Sequence, residues 1–330
     1  MVIPFSSVQQ EPGHGSFGSD AATGVPLVSV LLCTYNGERF LRDQLESIAR
    51  QTYSGWVVAV SDDGSTDSTL EILQEYKEKW GEEKLKVFSG PRQGFALNFI
   101  SLACRSEIDS AFYAWADQDD IWRDHKLETA LDQLQTIPQD IPALYCGRTE
   151  LINEDCQSIG LSPLFNRPAT FSNALVQSIG GGNTMVFNHA ACLLLRETGK
   201  DLTIVSHDWW AYLAVTGAGG RILYDATPTV LYRQHDDNII GSNSGFFSRI
   251  ERLRMIFKGR FRSWNESNIR ALDSIDYRLS EENRSILNSF KDARAHRGVR
   301  RFMYLRRSRV YRQTFLGNLG LILAAIFDGI

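Results

Sequence analysis

In this 330-residue chain the polar cluster Asp62-Asp63-Gly64-Ser65-Thr66-Asp67 has neither G-x-G-x-x-G nor G-K-[ST], so dinucleotide-fingerprint and P-loop readings lose their main support. It has no C-x-x-C pair. Its five cysteines (Cys33, Cys104, Cys146, Cys156, Cys192) are odd in number and scattered, and show no zinc or disulfide framework. They read as small buried hydrophobes of a reducing compartment. No apolar run reaches the ~18 residues of a spanning helix; the nearest approach, Phe315 to Phe327, is uncharged but only 13 residues long. The first 24 residues lack the basic start and apolar core of a signal peptide and are rich in Gly, Ser, Gln and Pro, so they are expected to form a disordered tail. No internal repeat is present. Excess positive charge is also missing: the formal net charge is −4, which argues against a generic nucleic-acid binder.

What remains is ordinary globular material, 43% apolar and 22% charged, enough for one large or two modest domains at ~100–200 residues each. The charge is unevenly divided. Residues 246–330 carry 18 Lys/Arg against 8 Asp/Glu, and the first 245 carry 17 against 31. An acidic body with a basic tail suggests two tasks.

Val28 to Cys33 is a β-branched run read as a buried strand. Asn36 is placed to cap a helix with Phe40, Leu41, Leu45 and Ile48 at helical spacing. Trp56 to Val60 is a second strand. A second helix follows over 68–80, with Ser68 and Glu71 at capping-box spacing and Leu70, Leu73 and Tyr76 on one face. Leu85–Phe88 and Ala111–Ala116 are further strands, with a helix near Ala96–Ala103 between them. Strand starts at 28, 56, 85 and 111 repeat every 26–29 residues, the size of a βαβ unit, and predict an α/β fold with a mostly parallel central sheet. Strand-like runs at 143–152, 183–187 and 221–232 make the second half mixed, with Gly180-Gly181-Gly182 before one of them. Beyond 245 the chain reads as helices, with Phe246, Ile250, Leu253 and Phe257 at helical spacing.

Ligands of such sheets bind beyond the carboxyl ends of the strands. Three polar clusters fall there: Thr34-Tyr35-Asn36-Gly37-Glu38, Asp62-Asp63-Gly64-Ser65-Thr66-Asp67 and Asp117-Gln118-Asp119-Asp120. The last packs three carboxylates into four residues. They repel by about 1 kcal/mol per close pair even in water, so they need solvent or a cation. Oxygen ligands of this kind suit Mg²⁺ or Mn²⁺. In the second cluster Asp67 fits a helix cap, and its neighbours fit an Asx turn or acceptors for a base N–H or ribose hydroxyl. Asp208 stands between His207 and Trp209-Trp210. Apolar walls and nearby carboxylates would raise its pKa toward a proton acceptor's range, and Trp faces suit sugar rings. The same four residues also read as a helix start, with Asp208 as cap and both Trp in the core.

Taken together, these clusters resemble family 2 glycosyltransferases of the GT-A (nucleotide-diphospho-sugar transferase) fold. Ala116-Asp-Gln-Asp-Asp-Ile-Trp122 with Lys126-Leu127, His207-Asp208-Trp209-Trp210 and Tyr232-Arg233-Gln234-His235 with Asn238 and Gly241 look like the bacterial rhamnosyltransferase branch. The resemblance covers roughly 27–242. It implies a tail over 1–26, a GT-A catalytic domain over 27–245 and a basic, helical C-terminal region over 246–330. It implies a nucleotide-sugar pocket shaped by Thr34, Tyr35, Asn36 and Glu38, base or ribose contacts from Asp62 and Asp63, and Asp117 assisting through ribose or metal. Asp119 and His235 would hold Mg²⁺ or Mn²⁺ in the manner of a DXD motif, and Arg233 would lie near the diphosphate. Asp208 would be the catalytic base, with Gly182, Asn183, Trp209 and Trp210 bordering the acceptor.

The chemistry implied is one-step inverting transfer of a sugar, in this branch L-rhamnose from dTDP-L-rhamnose, to a saccharide or lipid-linked acceptor in surface polysaccharide synthesis. A UDP-hexose donor is the alternative. The chain departs from relatives at Pro91-Arg92-Gln93-Gly94, where Asn often precedes Gly, and it lacks a Gln-x-x-Arg-Trp motif. A sugar-nucleotide pyrophosphorylase needs a glycine-rich loop after the first strand, which this chain does not supply. Intact Asp119 and Asp208 argue against a non-catalytic carbohydrate-binding relative. For the basic tail the readings are a peripheral attachment to an anionic membrane surface, a helical cap or homodimer contact, and nucleic-acid binding, which the acidic body disfavours. The first places the protein in the cytoplasm, on the inner face of the cell membrane.

Overall fold

Strand β1 (Val28–Thr34) is buried at every position and lies between two parallel neighbours, β2 (Trp56–Asp62) and β4 (Phe112–Ala116). Burial on both faces explains why β1 reads as a continuous apolar run rather than an alternating one. Strand β3 (Leu85–Ser89) extends the parallel set beyond β2. Helices α1 (Leu41–Ala49), α2 (Thr69–Trp80) and α3 (Phe95–Ala103) supply the crossovers that parallel pairing requires. This computed structural model describes residues 24–199, 202–235 and 260–330.

The second half of the sheet is mixed, as its sequence predicts. It comprises β5 (Ile121–Trp122), β6 (Ala143–Ile152), β7 (Ser158–Leu161), β8 (Val186–Asn188) and β9 (Arg221–Arg233), with α4 (Lys126–Leu134), α5 (Phe171–Ala174), α6 (His189–Glu197) and α7 (His207–Gly217) packed on it. The strand order is β3-β2-β1-β4-β8-β6-β9-β5, with β7 beside β6. Strand β8 runs antiparallel to both β4 and β6, while β6 and β9 are parallel. The order reverses between β1 and β4, which opens a crevice at their carboxyl ends.

Local expectations are corrected at two helix starts. Asn36 does not cap α1; its backbone is left-handed (φ 48°) and its side chain turns to the second loop. Ser68 occupies the N-cap position of α2 without a side-chain bond. The cap comes from Asp67, whose Oδ1 accepts from the Thr69 N–H at 3.0 Å. Leu70 is exposed, so the inner face of α2 is Ile72, Leu73 and Tyr76.

Two apolar layers cover the sheet. One gathers Leu41, Leu45, Ile72 and Leu131 over β1 and β2. The other gathers Phe99, Leu195, Trp210 and Leu213 on the opposite face. The C-terminal helices α8 (Arg260–Ser274), α9 (Glu281–Ala295), α10 (Gly298–Ser308) and α11 (Phe315–Ile326) join this second layer through Leu272, Leu287, Phe290 and Ala324. Trp264 of α8 meets Trp209 of α7 edge-on at 6.2 Å. The 245/246 boundary and the helical spacing of Phe246 to Phe257 lie outside the described residues. Leu287 is fully buried, so Leu287→Ala is expected to cost about 2–5 kcal/mol. Urea unfolding should show this as a shifted midpoint of a single transition; an unchanged midpoint would mean α9 is not part of the common core.

Candidate active site

Register places the three polar loops side by side. Thr34 pairs with Asp62 across β1–β2, and Leu32 pairs with Ala116 across β1–β4. The loops are then tied by side chains. Gln118 closes a two-point bridge to Tyr35, accepting from its N–H at 2.8 Å and donating to its carbonyl at 3.0 Å. A Cβ on Gly37 would come within 2.3 Å of the Gln118 Oε1, so a larger residue there would push the Gln118 amide out of its bridge. The Asn36 Oδ1 accepts from the Thr66 N–H, and the Glu38 carboxylate accepts from the Ser68 N–H. These two residues therefore join the first loop to the second. Tyr35 remains exposed.

The two aspartates ending β2 do different work. Asp62 is buried, and its oxygens accept from the Thr34 hydroxyl, the Ser65 hydroxyl and the Gly64 and Ser65 N–H groups. This corrects its assignment to nucleotide contact: Asp62 is the Asx turn that shapes the loop. Asp63 accepts from the Arg92 N–H at 2.6 Å and the Gly94 N–H at 3.0 Å. It thereby holds the 91–94 loop and keeps lone pairs for a ligand. Arg92 is exposed, with its guanidinium over Gly64.

The three aspartates after β4 also part company. Asp119 faces His235, with Oδ2 and Nε2 2.8 Å apart. Asp120 is buried; Asn183 donates to it at 2.6 Å and the Arg233 N–H at 3.1 Å. Asp117 is half-buried, and its carboxyl is pushed well above the ordinary range by burial and by the charges of Asp119 and Asp208.

Asp208 opens α7, where its Oδ1 accepts from the Trp209 N–H at 2.7 Å. Burial raises its pKa, while bonds from the Ser206 hydroxyl and the backbone of Trp209 and Gly182 oppose the rise. His207 stacks on Phe99 with centroids 3.9 Å apart and meets Trp115 edge-on at 4.7 Å. Burial drives its imidazole down to about 3, so it is neutral at pH 7. A Cβ on Gly182 would lie 2.1 Å from the His207 Nε2. The glycine thus lets the 180–183 loop lie flat against the ring beside Asp208.

Four further assignments are corrected. Trp209 and Trp210 are buried, and the Trp209 indole donates to the Ala174 carbonyl. They are core residues, not a sugar platform. Asn183 is buried and spent on Asp120, so it braces the acidic loop instead of facing an acceptor. Arg233 is also buried. It donates to the Asp119 and Glu154 carbonyls and pairs with Asp43 at 2.8 Å. It clamps the Asp119 loop rather than offering a charge to a diphosphate. Gln118 and Asp120 act as struts that nothing in their own motif announces, since their partners Tyr35, Asn183 and Arg233 are distant in the chain.

Asp119 and His235 present one hard oxygen and one imidazole nitrogen beside other carboxylates, a set that fits Mg²⁺ or Mn²⁺. Among the described residues no group of three or more such side chains converges, so substrate oxygens and water must complete any coordination shell. Cys33, Cys146 and Cys192 are buried free thiols, while Cys156 is exposed.

The family model described as Glycosyl transferase family 2 matches residues 29–198, which includes the first three loops and stops short of Asp208 and His235. The dTDP-rhamnosyl transferase RfbG of Shigella flexneri is 27% identical over 239 residues, covering 68% of this chain and 78% of that protein. The UDP-Glc:alpha-D-GlcNAc-diphosphoundecaprenol beta-1,3-glucosyltransferase WfgD of Escherichia coli is 31% identical over 129 residues, 39% of this chain and 48% of that one. In fold the chain is similar to GalNAc-T7, solved with UDP, GalNAc and Mn2+. The TM-score is 0.52 at 12% identity, over 81% of this chain and 51% of that chain.

Proposed function

The chain belongs to glycosyl transferase family 2, and from that membership we propose an inverting transfer of L-rhamnose from dTDP-L-rhamnose to a saccharide or lipid-linked acceptor in surface polysaccharide synthesis. The observation that carries this reading is that one loop links the two acidic segments: Asn183 donates to Asp120 in the motif after β4, while its neighbour Gly182 lies against His207 and bonds to Asp208 at the start of α7. Transfer of a sugar needs both halves of that arrangement: a proton acceptor for the attacking hydroxyl and a charged seat for the departing diphosphate.

Asp208 takes the proton of the acceptor hydroxyl. The oxygen bonds to the anomeric carbon as the bond to the diphosphate breaks, so configuration inverts in one step. Asp63 and the exposed Tyr35 ring suit the base and ribose, the first as hydrogen-bond acceptor and the second as stacking face. Asp119 and His235 would hold the divalent cation, which neutralises charge on the nucleoside diphosphate. Gln118, Asp120 and Arg233 keep that pair in place through the bonds given above. Gly182→Ala is expected to lower turnover about 10–100-fold, because a sub-ångström to ångström shift of the loop against His207 displaces the N–H that reaches Asp208. Steady-state kinetics beside a melting curve would check it; full turnover would release Gly182 from this role.

The rhamnosyl donor is favoured by the length of the match to the Shigella flexneri protein. A UDP-hexose donor is the competing choice, in keeping with the named donor of the Escherichia coli relative. A thermal-shift screen with Mn²⁺ and dTDP-, UDP- and GDP-sugars separates them. A donor at 100 times its Kd stabilises by about 2.7 kcal/mol. Selective stabilisation by dTDP-L-rhamnose is expected. A shift with UDP-sugars alone would move the assignment, and no shift with any donor would overturn it.

A further inference from the structure

Residues 293–327 contain eight arginines and no aspartate or glutamate. Within them α11 carries no charge at all, and it is apolar on both sides. Leu321, Ala324 and Ala325 face the protein. Phe315, Leu316, Leu319, Ile322 and Ile326 face solvent, Phe315 at 84% exposure. The spacing 315, 319, 322, 326 puts these side chains on one helix face. Helix α10 repeats the theme, with exposed Val299, Phe302 and Met303 beside Arg306 and Arg307 around a shallow depression. Arg300, Arg306 and Arg307 are exposed and enter no salt bridge among the described residues.

The two helices are held firmly. Buried Arg301 donates to the Ala325 carbonyl at 2.5 Å and to the His296 carbonyl at 2.8 Å, and it pairs with Asp328. The link after α10 is bonded to the 167–177 segment: Ser172 donates to the Ser308 carbonyl, Asn173 to the Tyr311 carbonyl, and the Gln313 N–H to Gln177. That segment leads directly into Gly180–Gly182 beside Asp208. The exposed faces are therefore fixed with respect to the crevice.

We propose that the outward faces of α10 and α11 dock this protein on an anionic lipid bilayer, the apolar row entering the headgroup–acyl boundary and Arg300, Arg306 and Arg307 meeting lipid phosphates. An exposed apolar helix face, accompanied by cations that enter no salt bridge among the described residues, is the pattern of an interfacial helix. Charge decides the occupant. A second copy joined symmetrically through this face would set arginines against arginines, whereas anionic headgroups neutralise them. The inference does not depend on which donor the crevice takes.

Flotation of the full chain with vesicles tests it. Binding to phosphatidylcholine–phosphatidylglycerol vesicles should exceed binding to phosphatidylcholine alone by about tenfold at low salt and weaken as salt is added. The pairs Leu316→Ser/Ile322→Ser and Arg306→Glu/Arg307→Glu alter exposed side chains, so melting temperature and donor-induced thermal shift should stay unchanged while vesicle binding falls about tenfold. Equal binding by the variants, or no binding by the unsubstituted chain, would overturn the proposal. A dimer dissolved by Leu316→Ser without vesicle binding would assign the face to a second copy and overturn it too. The donor shift is read in the same samples, so failure here leaves the transferase reading standing or falling by itself.

Discussion

Asp208→Asn is expected to lower turnover of sugar transfer about 10²–10⁴-fold, the range for loss of a positioned general base, with donor binding nearly intact. Asparagine has the same shape and can still accept the Trp209 N–H that fixes Asp208 Oδ1, so the crevice should keep its geometry while losing its proton acceptor. Burial holds the Asp208 pKa above the ordinary carboxylate value, so the acid limb of the transfer rate should lie above the range of an exposed aspartate. Below that limb the carboxyl is protonated and cannot accept. The limb should vanish in the variant. Full turnover by Asp208→Asn, with the same pH profile, would remove Asp208 from the mechanism.

The same substitution carries an opposite sign in stability. A carboxyl whose folded pKa is raised contributes stability below its unfolded pKa and loses it as pH rises through the folded one. At neutral pH the ionised Asp208 is a cost that Asn does not carry. The melting temperature of the variant relative to the unsubstituted chain should therefore fall as pH drops from 7 toward the ordinary carboxylate range, because protonation then relieves the same cost in Asp208. A function kept at the expense of stability is expected where catalytic groups are held in unfavourable surroundings.

How far the site could be read from sequence differs from residue to residue. Strands β1 to β4 were legible because β-branched runs recur at a regular interval, and their carboxyl ends named the three loops. The division of labour inside a loop was not legible. Asp117, Asp119 and Asp120 look alike in the chain, yet one is buried under Asn183, one faces His235 and one lies between two other carboxylates. Those differences come from pairings that span 63 to 116 residues, which local pattern does not encode. Of the two readings open to Trp209 and Trp210, acceptor border or helix core, the second holds for a traceable reason. Helix α7 is apolar on nearly every side, and all of it except Asp208 is buried. A helix without a polar face belongs inside, and that signal, present in His207 to Gly217, outweighs the general liking of sugars for indole rings. The resemblance alone puts Arg233 near a diphosphate, whereas its place at the end of the last strand sends it to backbone carbonyls and Asp43.

The divergence among the acidic residues leads to a contrast between neighbours. Asp119→Asn should reduce transfer about 10²–10³-fold, as expected when one electrostatic contact to developing charge is removed, and should abolish the extra thermal shift that Mn²⁺ adds to a nucleotide sugar. Asp120→Asn should act differently. Its carboxylate is buried and both oxygens are engaged, Oδ2 accepting from Asn183 and Oδ1 from the Arg233 N–H. An amide there keeps an acceptor oxygen but sets an NH₂ group against donors, so the loop loosens and folding stability suffers before cation affinity does. Isothermal titration with Mn²⁺ and nucleotide, beside melting curves, reads both effects. Loss of binding at normal stability for Asp119→Asn, and loss of stability for Asp120→Asn, is the expected pair. Should Asp119→Asn bind cation and donor as the unsubstituted chain does, the charged seat for the diphosphate lies elsewhere and His235 loses its assigned partner.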